Sequence, residues 1–139
     1  MLTLKNMLCT VIGILGTAIS HLFGGWSAAL TTLIIFMGID YISGVIVAGV
    51  FHKSTKSSSG GLNSLIGWKG LFRKGITLSI VLVAHRIDLL ISTTYIRDAV
   101  VIAFCTNELI SIIENAGLMG IPIPSPITKA IEVLKEKVQ

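Results

Sequence analysis

Two long apolar segments near the N-terminus follow one another with only a pair of glycines between them. The first covers residues 7–23 and the second covers residues 26–51. A transmembrane helix needs about 17–25 mainly apolar residues, so each segment is long enough to cross a bilayer. A soluble domain needs polar side chains over its surface, and these segments contain few of them. They therefore predict an all-α integral membrane protein.

The composition of the whole chain agrees with this class. Its 139 residues are 53% hydrophobic and only 13% charged, whereas soluble domains have about 25% charged residues. A chain of this length is expected to form one domain, here a single membrane domain over residues 1–139. A secretory signal peptide is the alternative for the first segment, and the second apolar segment directly after it argues against this reading.

Two further segments, residues 75–91 and 96–118, bring the predicted number of transmembrane helices to three or four. The segment 96–118 is marginal in hydropathy because polar residues are embedded in it; four spans are preferred because they place all the basic segments on one side. Three prolines within residues 121–126 then break the chain. Residues 126–138, which begin at the third of them, have apolar residues at helical spacing, and this predicts a short amphipathic helix too polar to span.

The segment between the second and third spans, residues 52–74, is basic and contains no acidic residue. Its serine- and glycine-rich first part is predicted to be a flexible loop, and residues 65–74 are predicted to lie along the lipid headgroups. Because basic segments stay in the cytoplasm, the loop and both termini are placed there. The residues assigned to the membrane surface and to topology are Lys53, Lys56, Trp68, Lys69, Arg73 and Lys74.

No catalytic pattern is present in the sequence. The three histidines lie far apart, in different predicted elements, and none of the common hydrolase, nucleotide-binding or zinc-protease motifs occurs. The two cysteines lie inside apolar segments and have no metal-ligand spacing. We therefore expect no enzymatic activity, no cofactor, no metal site and no nucleic-acid partner.

Polar residues inside the spans are the informative ones. A charged side chain at the bilayer centre costs about 2.5–3.5 kcal/mol, so it should face protein or water. For Asp40, a buried contact between helices and a pore or oligomer role are left as equal alternatives. Near the outer end of the third span, Arg86 with Asp88 or His85 is interpreted as a boundary ion pair. The pore or oligomer candidates are Asp40, Ser43, Gly44, Asn107, Glu108, Ser111, Glu114 and Asn115.

Several short motifs resemble one known family when taken in order. They are the run from Asp40 to Gly44, the serines at 57–59, the run Gly67-Trp-Lys-Gly-Leu-Phe-Arg-Lys74, the run from Asn107 to Asn115, and Ile-Pro-Ile-Pro at 121–124. Their order and spacing over about residues 30–135 are similar to those of the toxin-secretion and phage-lysis holin family.

The resemblance implies a phage or prophage protein that oligomerises in the bacterial cytoplasmic membrane. Such a protein opens lesions that release a murein hydrolase for host lysis or, in some relatives, a toxin. It needs the bilayer and further copies of itself, and the hydrolase is a functional partner that need not bind directly. Family members are not enzymes and need no cofactor.

Three other functions remain as alternatives. An antiholin could share every motif, and a small ion or multidrug transporter would also have short helices and an embedded acid. Such transporters place an acid in their first span, and the first span here has none. A structural adaptor that recruits partners through residues 126–138 is the least favoured.

Overall fold

The computed structural model describes residues 3–138, and these residues form five helices and no strand. The helices are α1 (Leu4–Leu22), α2 (Ala28–Gly49), α3 (Ser64–Ile91), α4 (Ile96–Leu118) and α5 (Ser125–Val138). The predicted all-helical fold is confirmed. Helices α1, α2 and α3 each begin after a capping residue, Thr3, Ser27 and Asn63, respectively. The side chain of each cap accepts a hydrogen bond from a backbone N–H of the first turn, which has no partner within the helix.

The third helix begins well before the predicted span. It starts at Ser64, so residues 64–74, which were predicted to belong to the basic surface segment, are its first three turns. Its 28 residues extend over about 42 Å, longer than the hydrocarbon core of about 30 Å. Residues 52–63 before it form a loop, in which Ser57 Oγ donates to the Gly61 carbonyl at 2.8 Å.

Helix α4 is the centre of the bundle. It packs against α2, α3 and α5, whereas α2 and α3 touch each other over a smaller area. The apolar core lies between the N-terminal half of α2, the C-terminal half of α3 and the N-terminal half of α4. Its buried members are Leu30, Leu33, Met37, Val81, Val101 and Cys105.

The short contact between α2 and α3 includes two glycines of α3. The Tyr41 side chain lies against Gly67 and Gly70, where a Cβ would be 3.4 Å from the hydroxyl and 3.7 Å from the ring, respectively. Both are ordinary van der Waals distances, so a methyl group would fit at either position and the contact does not require glycine.

Only two of the helices within residues 3–138 are both long enough and apolar enough to cross a membrane by composition. They are α1 and α2. Helices α3 and α4 have sufficient length, but their polar residues lower their hydropathy, so the predicted three to four spans are not established. The position of α4 explains its low hydropathy, because a helix covered on several sides by other helices exposes little surface to lipid.

Helix α1 stands apart from the bundle. None of the residues Leu4–Leu22 is buried, and its large apolar side chains are exposed all around it. Exposed isoleucines and valines also cover the outward face of α2 and of the C-terminal half of α3. Apolar surface on this scale would be costly in water and is suited to lipid.

Candidate functional site

A lysine and two carboxylates form an ionic group in the middle of the bundle. Lys74 Nζ on α3 donates to Asp40 Oδ2 on α2 and to Glu108 Oε2 on α4, both at 2.7 Å. The three side chains are only 16%, 10% and 15% exposed, respectively. One cation thus links the three packed helices through two short charge-assisted hydrogen bonds, a class of contact that is about twice as strong as a hydrogen bond between neutral groups.

An asparagine completes this group from the next turns of α4. Asn115 Nδ2 lies 2.9 Å from Ser43 Oγ, 3.2 Å from the Asp40 carbonyl and 3.3 Å from Asp40 Oδ1. Gly44 lies opposite it, where a Cβ would be 3.7 Å from the same amide nitrogen. Asp40, Ser43, Lys74, Glu108 and Asn115 are called the Lys74 cluster below.

The Lys74 cluster lies where the apolar core ends. Towards the start of α2 and of α4 the helices enclose the core, and on the other side of the cluster they separate. The space between them is a cleft of about 650 Å³, bounded by the second half of α2, the first half of α3, the second half of α4 and the loop before α3. The bundle is therefore closed at the end of the α3–α4 turn and open at the end of the basic loop.

The formal charges of the Lys74 cluster do not cancel. One lysine faces two carboxylates, so a single negative charge is left among groups that are mostly removed from solvent. Isolated charge in such a place is costly, and hydrogen bonds from neighbours offset part of the cost. Asn115 supplies one to Asp40, and no buried side-chain nitrogen or oxygen in residues 3–138 lacks a partner.

The eight pore or oligomer candidates are not all in one place. Asp40, Ser43, Glu108 and Asn115 meet in the cluster, and Gly44 borders it. Asn107 and Ser111 line the cleft, whereas Glu114 is exposed. Within one chain, Asp40 makes the buried helix contact that was one of its two predicted roles; the pore or oligomer role stays a prediction.

The surface and topology candidates divide as well. Lys53, Lys56, Trp68, Lys69 and Arg73 are exposed. Lys74 was predicted to lie at the membrane surface with them, but its side chain is mostly buried and its ammonium group lies inside the bundle between two acids. The reason is the helical turn, since Lys74 shares the inward face of α3 with Leu78 and Val81 at spacings of four and seven residues.

Asp88 lies near the α3–α4 turn, at the end of the bundle away from the basic loop. Its role there differs from the predicted boundary ion pair. Its carboxylate accepts from Thr93 Oγ1 at 2.5 Å, from the N–H of Ile96 at 3.0 Å and from the N–H of Arg97 at 2.9 Å. No arginine or histidine among residues 3–138 forms a salt bridge with it. Asp88 thus caps α4 from the neighbouring helix, a position at which Tyr95 offers no side-chain cap.

Arg97 was missed by the sequence reasoning. Its Nη1 donates to the carbonyl of Phe23 at 2.6 Å and to that of Gly25 at 3.1 Å, which ties the α1–α2 turn to the start of α4. A signal for it existed: an arginine at the outer end of the predicted fourth span, residues 96–118, goes against the preference of basic residues for the cytoplasm. Such an exception indicates a residue that is held by contacts with the protein.

The α1–α2 turn provides a matched pair of glycine variants. Gly24 and Gly25 both have positive φ, 79° and 91°, but only at Gly24 would a Cβ lie less than 3.0 Å from three atoms of the His85 ring. We expect Gly25→Ala to cost about 1 kcal/mol from backbone strain and Gly24→Ala about 2 kcal/mol because His85 must also move. Unfolding in mixed detergent micelles measures both free energies, and equal losses would contradict the contact with His85.

Together, an apolar exterior suited to lipid and charged groups paired inside define a small helical protein of the membrane type. Residues 17–136 match the model of the bacteriophage holin family. This match covers most of the chain, so the chain belongs to the bacteriophage holin family. The match begins inside α1, so the start of that helix lies outside it.

Relatives from several bacteria are similar over most of their length. The chain is 38% identical over 128 residues to the uncharacterized protein BH0965 of Halalkalibacterium halodurans, covering 88% of this chain and 89% of that protein. It is 38% identical over 125 residues to the uncharacterized 14.9 kDa protein in the nagH 3' region of Clostridium perfringens, with coverage of 88% and 89%. It is 32% identical over 118 residues to YqxH of Bacillus subtilis, with coverage of 84% and 78%. No solved structure matches the chain.

Proposed function

We propose that this chain is a holin, which oligomerises in the bacterial cytoplasmic membrane and opens lesions through which a murein hydrolase reaches the cell wall. Export of a toxin through the same lesions is the variant of this function that the resemblance to the toxin-secretion and phage-lysis holin family implies. Membership of the bacteriophage holin family supports the proposal. Members of that family are generally not enzymes, and the proposed role needs no catalysis.

The single observation that carries the mechanism is the Lys74 cluster. In one chain its charged groups are paired between the helices, while apolar side chains cover the outside of α2 and of the C-terminal half of α3. A monomer of this kind can accumulate in lipid without turning the charges of the cluster towards the hydrocarbon. If crowded copies separate α2, α3 and α4 and pack against each other, the same groups can turn towards water and line a lesion.

The proposed topology has four spans with both termini in the cytoplasm. The family and the two apolar helices indicate a membrane protein. We add α3 and α4 as spans because their charged residues Lys74 and Glu108 satisfy each other inside the bundle. The cytoplasmic side is then the side of the basic loop and the open cleft, and α5 lies along that surface.

Inducible expression in bacteria with a membrane-potential dye tests the function. With a murein hydrolase present in the cytoplasm, a holin is expected to collapse the potential abruptly and to lyse the culture; without the hydrolase, the potential should still collapse and lysis should not follow. Growth that continues with a normal potential would contradict the proposal and favour an antiholin, since an antiholin delays lesions rather than making them.

The same assay tests the role of the acids. Asp40→Leu and Glu108→Leu each leave Lys74 with one remaining carboxylate, so the cluster becomes neutral and the variants should still insert. Because a lesion would lose part of its polar lining, we expect onset of lysis to change at least about twofold in time at equal membrane protein. Leu109→Ala, on the same helix but outside the cluster, is the control. Unchanged onset in both acid variants would contradict a polar lesion lining.

A further inference from the structure

The cleft beside the Lys74 cluster has an excess of positive charge. Its charged lining consists of four cations, Lys56, Lys69, Arg73 and Lys74, and two carboxylates, Asp40 and Glu108. This leaves a net formal charge of +2 around a space of about 650 Å³. A cleft of this charge attracts an anion and disfavours a metal cation.

Three of these cations are available to a ligand. Lys74 is bound to both carboxylates, so neither acid neutralises the other basic residues. Among residues 3–138, no acidic side chain lies within salt-bridge distance of Lys56, Lys69 or Arg73. Lys69 and Arg73 lie four residues apart on α3, so their side chains share one face of the helix.

The rest of the cleft suits an apolar molecule. Its wall includes Val45, Leu62, Ile66, Phe104 and Leu118, and its apolar surface is larger than its polar surface. On another face of the same turns of α3, Trp68 and Phe72 are exposed with their rings 6.1 Å apart. Aromatic side chains exposed in this way are typical of the level of the lipid headgroups.

We propose that this cleft binds an anionic phospholipid, with its phosphate between Lys69, Arg73 and Lys56 and an acyl chain along the apolar wall. Basic pockets between helices on the cytoplasmic side of membrane proteins bind anionic headgroups in this manner. The charge selects an anion, and the apolar wall selects a lipid over a free phosphate. The site does not depend on lesion formation, since the same residues would bind lipid in an antiholin.

Binding to the purified full-length chain in a neutral detergent tests the proposal. Native mass spectrometry with dihexanoyl phosphatidylglycerol should show one bound lipid at saturation. Dihexanoyl phosphatidylcholine, which has no net charge, and glycerol phosphate, which has no acyl chain, should each bind at least about tenfold more weakly. Equal binding of phosphatidylcholine would overturn the charge recognition, and equal binding of glycerol phosphate would overturn the assignment to a lipid.

A pair of double variants locates the site. Lys69→Gln with Arg73→Gln should weaken phosphatidylglycerol binding by about tenfold to thirtyfold, since each basic residue near an anionic headgroup contributes about fivefold. Lys135→Gln with Lys137→Gln removes the same charge from α5, away from the cleft, and should change binding by less than about twofold. Both variants replace exposed residues, and circular dichroism checks that helicity is unchanged. Equal weakening in the two variants would mean general attraction to charge and would overturn the site.

Discussion

Lys74→Met should be among the most damaging single substitutions in the bundle, with an expected loss of about 3–5 kcal/mol in the free energy of unfolding. The variant leaves Asp40 and Glu108 mostly buried with no cation between them. Two carboxylates so placed repel each other and lose their strongest hydrogen-bond donor. Titration with dodecyl sulfate in mixed micelles, followed by circular dichroism, measures the loss.

Two further variants test whether the loss of stability comes from the unpaired carboxylates. The alternative is that replacing any lysine of α3 has the same effect. Lys69→Met removes an exposed lysine from the same helix and should change the free energy by less than about 0.5 kcal/mol. The triple variant Asp40→Asn, Lys74→Met, Glu108→Gln removes all three charges and should recover at least about half of the loss. A stable Lys74→Met protein, or a triple variant no better than the single one, would contradict the ionic contact.

The lysine variant also has an expected consequence for lesions. If closed monomers accumulate before lesions form, a less stable bundle should open at a lower surface density. We therefore expect Lys74→Met to collapse the membrane potential with less inserted protein than the parent chain, and membrane fractions quantified at the time of collapse measure this. Collapse at the same or a higher density would contradict the proposed opening of the bundle.

Asp88→Ala is expected to have the second large effect, a loss of about 2–3 kcal/mol. The buried carboxylate accepts hydrogen bonds from one hydroxyl and two backbone N–H groups at the start of α4. Loss of a helix cap costs about 0.5–2 kcal/mol, and the further hydrogen bond from the Thr93 hydroxyl to this charged acceptor places the expected loss at or above the upper end of that range. The first turn of α4 should also show faster amide hydrogen exchange than in the parent chain.

A neighbouring acid and an isosteric change test whether capping is the cause. Asp98→Ala removes an exposed carboxylate that pairs with Arg97 at 3.1 Å and should cost less than about 1 kcal/mol. Asp88→Asn keeps one acceptor oxygen and should lose about half as much as Asp88→Ala. If Asp88→Asn were as damaging as Asp88→Ala, or Asp98→Ala equally damaging, the carboxylate would not act as the cap.

Much of the fold could be predicted because it depends on local sequence. Apolar segments, the glycine pair before α2 and the prolines before α5 indicate helices and breaks near the observed ones. The start of α3 was misplaced because hydropathy marks where a helix becomes apolar, not where its backbone begins. The cap at Asn63 marks the real start, and a helix drawn from there would have placed Lys74 on the inward face.

Part of the candidate site could also be predicted. Asp40, Ser43, Glu108 and Asn115 are polar residues inside apolar helices, and such residues need a partner wherever they lie. Their mutual contacts needed the tertiary structure, because the height and rotation of α2 against α4 are set by packing between residues far apart in sequence. The capping of α4 by Asp88 has the same origin, since a helix cap normally comes from the residues directly before the helix.

The long apolar helices and the polar residues inside them follow from local sequence, because the period of hydrophobicity and the cost of charge in lipid act on each segment alone. Which charges meet depends instead on how the helices pack. In the folded chain Lys74 lies between two acids, Lys69 and Arg73 line the cleft, and α1 lies outside the bundle. Ion pairs and clefts form between helices, so their geometry depends on the side chains of every helix that packs there.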